Sequence, residues 1–203
     1  KLGTYGLIRL AIPMLPATTH VFAPILGTIC VITILYTALI AWVQTDMRRL
    51  IGYSSISHMG LCVLGMFALT AEGLQGSILY MLNHGLSTGA LFLVVGMIVQ
   101  RYRSAQLADM QGLARRIPAL AFFAVFFSLS SIALPGLNGF VSEFLVLVGT
   151  FISGQPGHPG PLGPRFAVLA ALGMILGAIY MLYWVGKVWF GPLQEPTVPD
   201  DAP

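Results

Sequence analysis

Long charge-free apolar runs, separated by short polar links, dominate the chain. Residues 2–14 form an apolar half-span ending at Pro13 and Pro16, and the polar stretch 17–20 after it reads as a turn. Residues 22–43 then run without a charge, long enough at about 1.5 Å per residue to cross a hydrocarbon core of about 30 Å. Residues 50–70 and 74–99 predict two further spans, divided by a turn at Thr70-Ala71-Glu72-Gly73. A polar link, 101–116, leads to the apolar stretch 117–152. That stretch is too long for one straight crossing, since about 35 residues of helix reach about 52 Å. Its Leu134-Pro135-Gly136-Leu137-Asn138-Gly139 run predicts a broken helix. A Gly/Pro loop, 153–164, precedes the last span, 166–189, and residues 191–203 read as a polar, Pro-rich tail.

The expected fold is therefore all-α: a polytopic membrane helix bundle in one transmembrane domain, residues 1–190, with about five full spans, a partial first one and a discontinuous helix at 117–152. Composition agrees. Of 203 residues, 57% are hydrophobic and 8% charged, against roughly 25% charged in an ordinary soluble domain. The net charge of +3 comes from short basic clusters between apolar runs, not from a basic face, so nucleic acid is not an expected partner. Arg48 and Arg49, the four arginines of the 101–116 link, and Lys187 fall at alternate loops, and by the positive-inside rule these face the cytoplasm or its equivalent. Cys30 and Cys62 lie within apolar runs and read as small buried hydrophobes. The chain starts at Lys1 inside what reads as the middle of a helix, and is expected to be a fragment whose N-terminal half is absent.

Against this apolar background Glu143 stands out as the only acid in residues 117–152, just after the helix-breaking run. A carboxylate at membrane depth is costly, which marks it as a functional candidate. Counting along the helices places His58, His84 and Lys1 near the same depth, about 13–18 Å from their membrane faces. These groups form a row parallel to the membrane, suited to lateral proton transfer because Lys, His and Glu can each change protonation state. Ser54 and Ser55 precede His58 on nearly the same helical face, and Tyr80 and Ser87 flank His84. These are candidates to hydrogen-bond the imidazoles or hold water. Gly85 and Gly89 are candidates for close helix approach, and Pro135, Gly136, Asn138 and Gly139 for the hinge beside Glu143. Taken singly, each histidine fits a helix-fastening role equally well, and Pro135 a packing kink. Arg9 reads as an interfacial anchor. There is no cysteine cluster, phosphate-binding glycine loop or nucleophile with an obvious base, so no metal and no catalytic group is expected in this chain.

The string Thr45-Asp46-Met47-Arg48-Arg49-Leu50-Ile51-Gly52-Tyr53-Ser54-Ser55-Ile56-Ser57-His58-Met59-Gly60 resembles a signature of the antiporter-like, proton-pumping membrane subunits of respiratory complex I. Asn83-His84-Gly85-Leu86-Ser87 and the run from Leu134 to Phe144 resemble two more. Within that family the match is to the M type, called chain 4 in mitochondria, because relatives of the L and N type usually carry lysine where this chain has Glu143. The resemblance implies part of a fourteen-helix antiporter-like fold, with Glu143 on its broken twelfth helix and Lys1 as the eighth-helix lysine of a central hydrophilic axis. His58 and His84 would lie on the tenth and eleventh helices. It implies a proton-translocating subunit of NADH:quinone oxidoreductase in a bacterial plasma membrane or equivalent energy-transducing membrane, with neighbouring antiporter-like subunits as partners and quinone met only indirectly. No cofactor is expected in this chain; flavin and iron-sulfur clusters would sit in other subunits. The alternative is a subunit of a multi-subunit cation/proton antiporter or of a membrane-bound hydrogenase.

Overall fold

The computed structural model describes residues 1–158 and 160–194, and the expected tail beyond residue 194 lies outside the described residues. Among the described residues there is no strand, and the order of elements is α1 (Leu2–Gly6), a π-helical turn (Leu7–Ala11), α2 (Ile12–Met14), α3 (Pro16–Trp42), α4 (Met47–Phe67), α5 (Ala71–Tyr102), a 3-10 turn (Leu113–Arg115), α6 (Pro118–Ser131), α7 (Asn138–Ile152) and α8 (Pro164–Trp189). Among the described residues four helices, α3, α4, α5 and α8, are long and apolar enough to cross a membrane. The stretch between α5 and α8 forms two shorter apolar helices, α6 and α7, on either side of the Pro-Gly run.

The first turn is not at residues 17–20, which are helical. It lies at Leu15, whose φ of −129° and ψ of 58° separate α2 from α3. Two prolines explain the position. Pro13 and Pro16 carry no N–H, so the helical ladder loses donors at both places, while Pro16 is well suited to the first position of a new helix. The π-helical turn before Pro13, where Ile12 N–H reaches back to Leu7 O, is a local adjustment of the same ladder. Thr19, polar in sequence, is buried inside α3.

At the other end, α4 begins at Asp46, whose carboxylate accepts from the N–H groups of Arg48 and Arg49 at 2.8 and 3.1 Å. Thr70 caps α5 in the same way, accepting from Gly73 N–H, and donates to the Gly149 carbonyl of α7 at 3.0 Å. The polar link is not free: Met47 N–H donates to Ala105 O and Leu107 N–H to Thr45 O. Residue 194 is tied back as well, because Gln194 and Gln111 exchange both backbone hydrogen bonds, at 2.9 and 3.0 Å. This face is closed by an apolar cluster around Trp184, Trp189, Met47, Leu50, Ile98 and Leu113. A second cluster, built from Cys30, Ile34, Leu61, Leu64, Tyr80 and Val146, fills the opposite half of the bundle.

Glycines fix how closely the helices of that half approach. A Cβ on Gly76 of α5 would come within 2.7 Å of the Val146 nitrogen of α7, and one on Gly149 would collide with the backbone of Gly73. At membrane depth such small residues let backbones touch and dispersion forces act. Gly85 and Gly89, candidates for this role by sequence, have nothing within 4 Å of a notional Cβ and face outward. Position along α5, not residue type, decides which glycines are used. The tight contact lies one turn before Tyr80 on α5 and one turn after Glu143 on α7, and so presses those two side chains together.

Candidate functional site: a buried ionisable row

Four helical segments contribute five ionisable or phenolic groups to a single line. Lys1, at the start of α1, places its Nζ 2.9 Å from His84 Nδ1 and 2.7 Å from Met59 Sδ. His84 and Tyr80 come from α5, one turn apart, and His58 from α4. The His58 and His84 ring centroids are 5.5 Å apart. Tyr80 Oη lies 2.5 Å from His58 Nδ1 and 2.7 Å from Glu143 Oε1, on α7. The order along the line is Lys1, His84, His58, Tyr80, Glu143.

The Glu143 end of this row is enclosed by the helices. Glu143 is 2% exposed and Tyr80 3%, whereas Lys1 is exposed at the bundle edge. His84 has both ring nitrogens engaged, Nδ1 with Lys1 and Nε2 with Thr88 Oγ1 at 3.2 Å. With an ammonium donating to Nδ1, the neutral ring carries its proton on Nε2 and donates to Thr88. A carboxylate as deeply enclosed as Glu143 needs a donor, because an unpaired buried charge costs several kcal/mol. Tyr80 supplies it. His58 Nδ1, at 3.7 Å from Glu143 Oε1, is close enough for charge attraction and too far for a hydrogen bond.

The helix break sits at the depth of the row. After α6 ends at Ser131, Ala133 and Gly136 adopt positive φ, 55° and 96°, and Leu137 is extended before α7 starts at Asn138. Side chains hold this break from two directions. Ser130 Oγ donates to Asn138 Oδ1 and pairs with Ser87 Oγ at 2.7 Å, while Asn83 Nδ2 donates to the Asn138 carbonyl at 2.6 Å. Gly139 has no room for a side chain, since a Cβ there would run into the Ser130 carbonyl. Two small cavities flank the row. One, with about 10 Å³ open to a water centre, is lined in part by His58, His84, Tyr80, Ser130 and Ser131. The other, about 20 Å³, is lined in part by His58, Glu143, Ser57 and Ser131. Each is about the size that holds a single water, and each presents several polar groups to it.

The structure thus gathers Lys1, His58, His84 and Glu143 into one line, with Ser87, Asn138 and Gly139 at the break beside it. Pro135 and Gly136 lie on the exposed side of the break. Ser54 and Ser55 do not serve His58. Ser54 is buried against Tyr180 of α8, and Ser55 makes no hydrogen bond to the imidazole. Tyr80 packs edge-on against His84, beside which the sequence places it, and its hydroxyl reaches His58 and Glu143. Thr88 and Ser130 stand outside the candidates that the sequence offers, and Asn83 enters there only as part of a family signature. A signal for two of them existed: residues 77, 80, 83, 84, 87 and 88 form a polar stripe at helical spacing on α5, against an otherwise apolar span. Among the described residues no three His, Cys, Asp or Glu side chains gather as metal ligands would.

Comparison with known proteins agrees with this geometry. The chain is 44% identical over 191 residues to NADH-ubiquinone oxidoreductase chain 4 of Marchantia polymorpha and 41% identical over 198 residues to NADH-quinone oxidoreductase subunit M of Mycobacterium tuberculosis. These alignments cover 94% and 96% of this chain but 37% and 34% of the relatives, so the chain spans little more than a third of their length. In structure it matches a chain of respiratory complex I from Thermus thermophilus with a TM-score of 0.86 at 32% identity, covering 97% of this chain and 41% of that one. It also matches a chain of the Mrp complex from Dietzia with a TM-score of 0.84 at 26% identity, covering 99% and 35%. Apolar spans, a polar row at one depth and a polar-bound helix break occur together here, and the model of the NADH:quinone oxidoreductase/Mrp antiporter transmembrane family matches residues 1–156: the chain is an integral membrane protein belonging to that family.

Proposed function

We propose that the chain is part of a proton-translocating membrane subunit of NADH:quinone oxidoreductase, of the M type, in which the row from Lys1 to Glu143 carries protons parallel to the membrane. The observation that carries this reading is the succession of short contacts Lys1–His84 and His58–Tyr80–Glu143, with the two histidine rings edge-on between them at 5.5 Å. Every member can gain or lose a proton or pass one on, and the surrounding apolar helices exclude the solvent that would short-circuit the path.

In this reading, electron transfer elsewhere in the complex changes the charge at the Lys1 end. Lys1 then gives a proton to His84 Nδ1, His84 releases its Nε2 proton through the water-sized cavity that His84, Thr88 and His58 line, His58 takes it up, and Glu143 receives a proton in turn. The chain itself performs no redox step. Flavin and iron-sulfur clusters belong to other subunits, quinone is met only through the complex, and neighbouring antiporter-like subunits are the partners. The membrane is a bacterial plasma membrane or an equivalent energy-transducing one. The greater identity to subunit M and chain 4 than to the Mrp chain supports this reading over a cation/proton antiporter subunit.

The test is Glu143→Gln against Glu143→Asp in the full-length subunit of the assembled complex, with proton uptake into sealed vesicles measured per NADH oxidised. Gln keeps the shape and removes the titration, so pumping falls while assembly is retained; Asp restores part of it. Normal pumping by an assembled Gln variant overturns the assignment.

A further inference from the structure

Among the described residues the Tyr80 hydroxyl is the one side-chain atom that lies within hydrogen-bond distance of both His58 and Glu143, at 2.5 and 2.7 Å. The two groups it joins are 3.7 Å apart and make no hydrogen bond to each other. Its position is over-determined. The ring is 3% exposed, packs edge-on against both imidazoles with centroids 6.1 Å from each, and sits one turn beyond the glycine contact that presses α5 onto α7.

We propose that Tyr80 is the obligatory proton relay between His58 and Glu143, and that the orientation of its single hydroxyl proton makes the step directional until it is reset. The inference rests on the proton-path reading above. A hydroxyl has one proton and two lone pairs, so it can donate to only one neighbour at a time. Before transfer, His58 is an imidazolium whose Nδ1–H donates to Tyr80 Oη, and the Tyr80 O–H donates to the Glu143 carboxylate. In the step, the Nδ1–H bond of His58 breaks and a new O–H bond forms on Tyr80, while the original Tyr80 O–H bond breaks and its proton bonds Glu143 Oε1. The products are a neutral imidazole, an unchanged phenol and a neutral carboxylic acid. One proton has left His58, one has arrived at Glu143, and an ion pair has been discharged.

The phenol now points its proton back at His58 Nδ1, and the Glu143 O–H donates to Tyr80. A second proton cannot follow by the same route while that orientation persists. Resetting requires Glu143 to release its proton, the Tyr80 O–H to swing back, and the His58 ring to turn or shift its remaining proton to Nδ1 so that a free nitrogen again faces the His84 side, which ties each transfer to discharge at the far end. No separate gate is needed for this. A rival route exists through the 20 Å³ cavity that both His58 and Glu143 line, where one water bridging them would bypass the phenol.

The decisive variant is Tyr80→Phe in the full-length subunit of the assembled complex, measured beside Glu143→Gln for proton uptake per NADH oxidised. Phe retains the ring packing and removes only the hydroxyl. The proposal expects Tyr80→Phe to show at least half of the Glu143→Gln deficit. A smaller deficit, with Glu143→Gln still impaired, overturns the relay and leaves the path to the water route. No deficit in either variant overturns the proton-path reading itself. Should Tyr80→Phe fail to assemble, a fluorinated tyrosine inserted at position 80 retains size and hydroxyl while making the phenol more acidic. A pumping rate changed at least threefold supports the relay, and an unchanged rate overturns it.

Discussion

The chain interrupts its helices twice with proline, and the two interruptions could hardly be treated more differently by the rest of the molecule. At Leu15 the backbone turns between Pro13 and Pro16 among exposed side chains, with Leu10, Met14 and Leu15 all more than half exposed. At residues 132–137 the backbone turns beside His58 and His84, and Ser87, Ser130, Asn83 and Asn138 hydrogen-bond across the gap. Proline explains that a helix stops. It does not explain where a stop can be tolerated. Away from the bundle interior, freed N–H and C=O groups find partners around them; inside it, each must be answered by a side chain or an enclosed water. The second break therefore brings polar groups with it, and those same groups line the cavity next to the histidines. Polarity needed to build the break becomes polarity available to the proton row.

If that contrast is right, the largest effect of any hinge substitution belongs to Gly139. A methyl group there meets the Ser130 carbonyl, which is backbone and cannot rotate away, so α6 and α7 must separate. Overpacking of this kind costs about 1–3 kcal/mol. Gly139→Val is expected to abolish assembly of the subunit into the complex, and Gly139→Ala to lower the midpoint of thermal dissociation. Unchanged assembly with Val would mean that the break is not held in this geometry. Asn138→Leu comes next. It leaves the Asn138 carbonyl for Asn83 but strips Ser130 of its Oδ1 acceptor in a buried place, a loss of about 1–3 kcal/mol. The same variant is expected to lower proton uptake more than it lowers assembly, because the break and the 10 Å³ cavity share Ser130. Ser87→Ala, which removes one neutral hydrogen bond from the same net, is expected to cost about 1 kcal/mol and to leave pumping close to normal.

These residues also show what could be read from the sequence. The spans and the break were legible because membrane helices must satisfy their backbones internally, which leaves long apolar runs and conspicuous Pro-Gly interruptions. Lys1, His58, His84 and Glu143 were legible as a set because depth follows from residue count at about 1.5 Å per residue. Lateral relations were not. Reasoning along one helix gave Ser54 and Ser55 to His58, whereas its partner is Tyr80 from the neighbouring helix. Residue type alone gave Gly85 and Gly89 the close approach that Gly76 and Gly149 make. Counting fixes height in a bundle; azimuth comes from packing, and packing depends on every neighbour at once. The misplaced first turn has a different cause. Thr18, Thr19 and His20 look like a polar loop, yet polar residues suit the first turn of a helix, where backbone N–H groups still lack partners.

The smallest expected effect lies at the first interruption, and it is the sharpest check on the contrast. Pro16 occupies the first position of α3, where a helix has no backbone hydrogen bond for that residue to lose. Replacing it with Ala gives back an N–H that partners near an exposed turn can satisfy, and frees Leu15 from the restriction that a following proline imposes. The main loss is the stiffness that proline lends the unfolded chain, about 0.4–1 kcal/mol. Pro16→Ala is therefore expected to shift thermal dissociation slightly and to leave proton uptake per NADH at the parental level. The one way for it to do more is through Lys1. The segment from Lys1 to Met14 hangs from this turn, and its Nζ reaches His84 only while α1 and α2 keep their direction. Leu7, Ile8 and Ile12 pack against the cluster around Cys30, Ile34 and Leu61, which holds that direction independently of the turn. A large fall in pumping by Pro16→Ala would show that this packing is insufficient and that the turn aims Lys1, making both interruptions parts of the path rather than one.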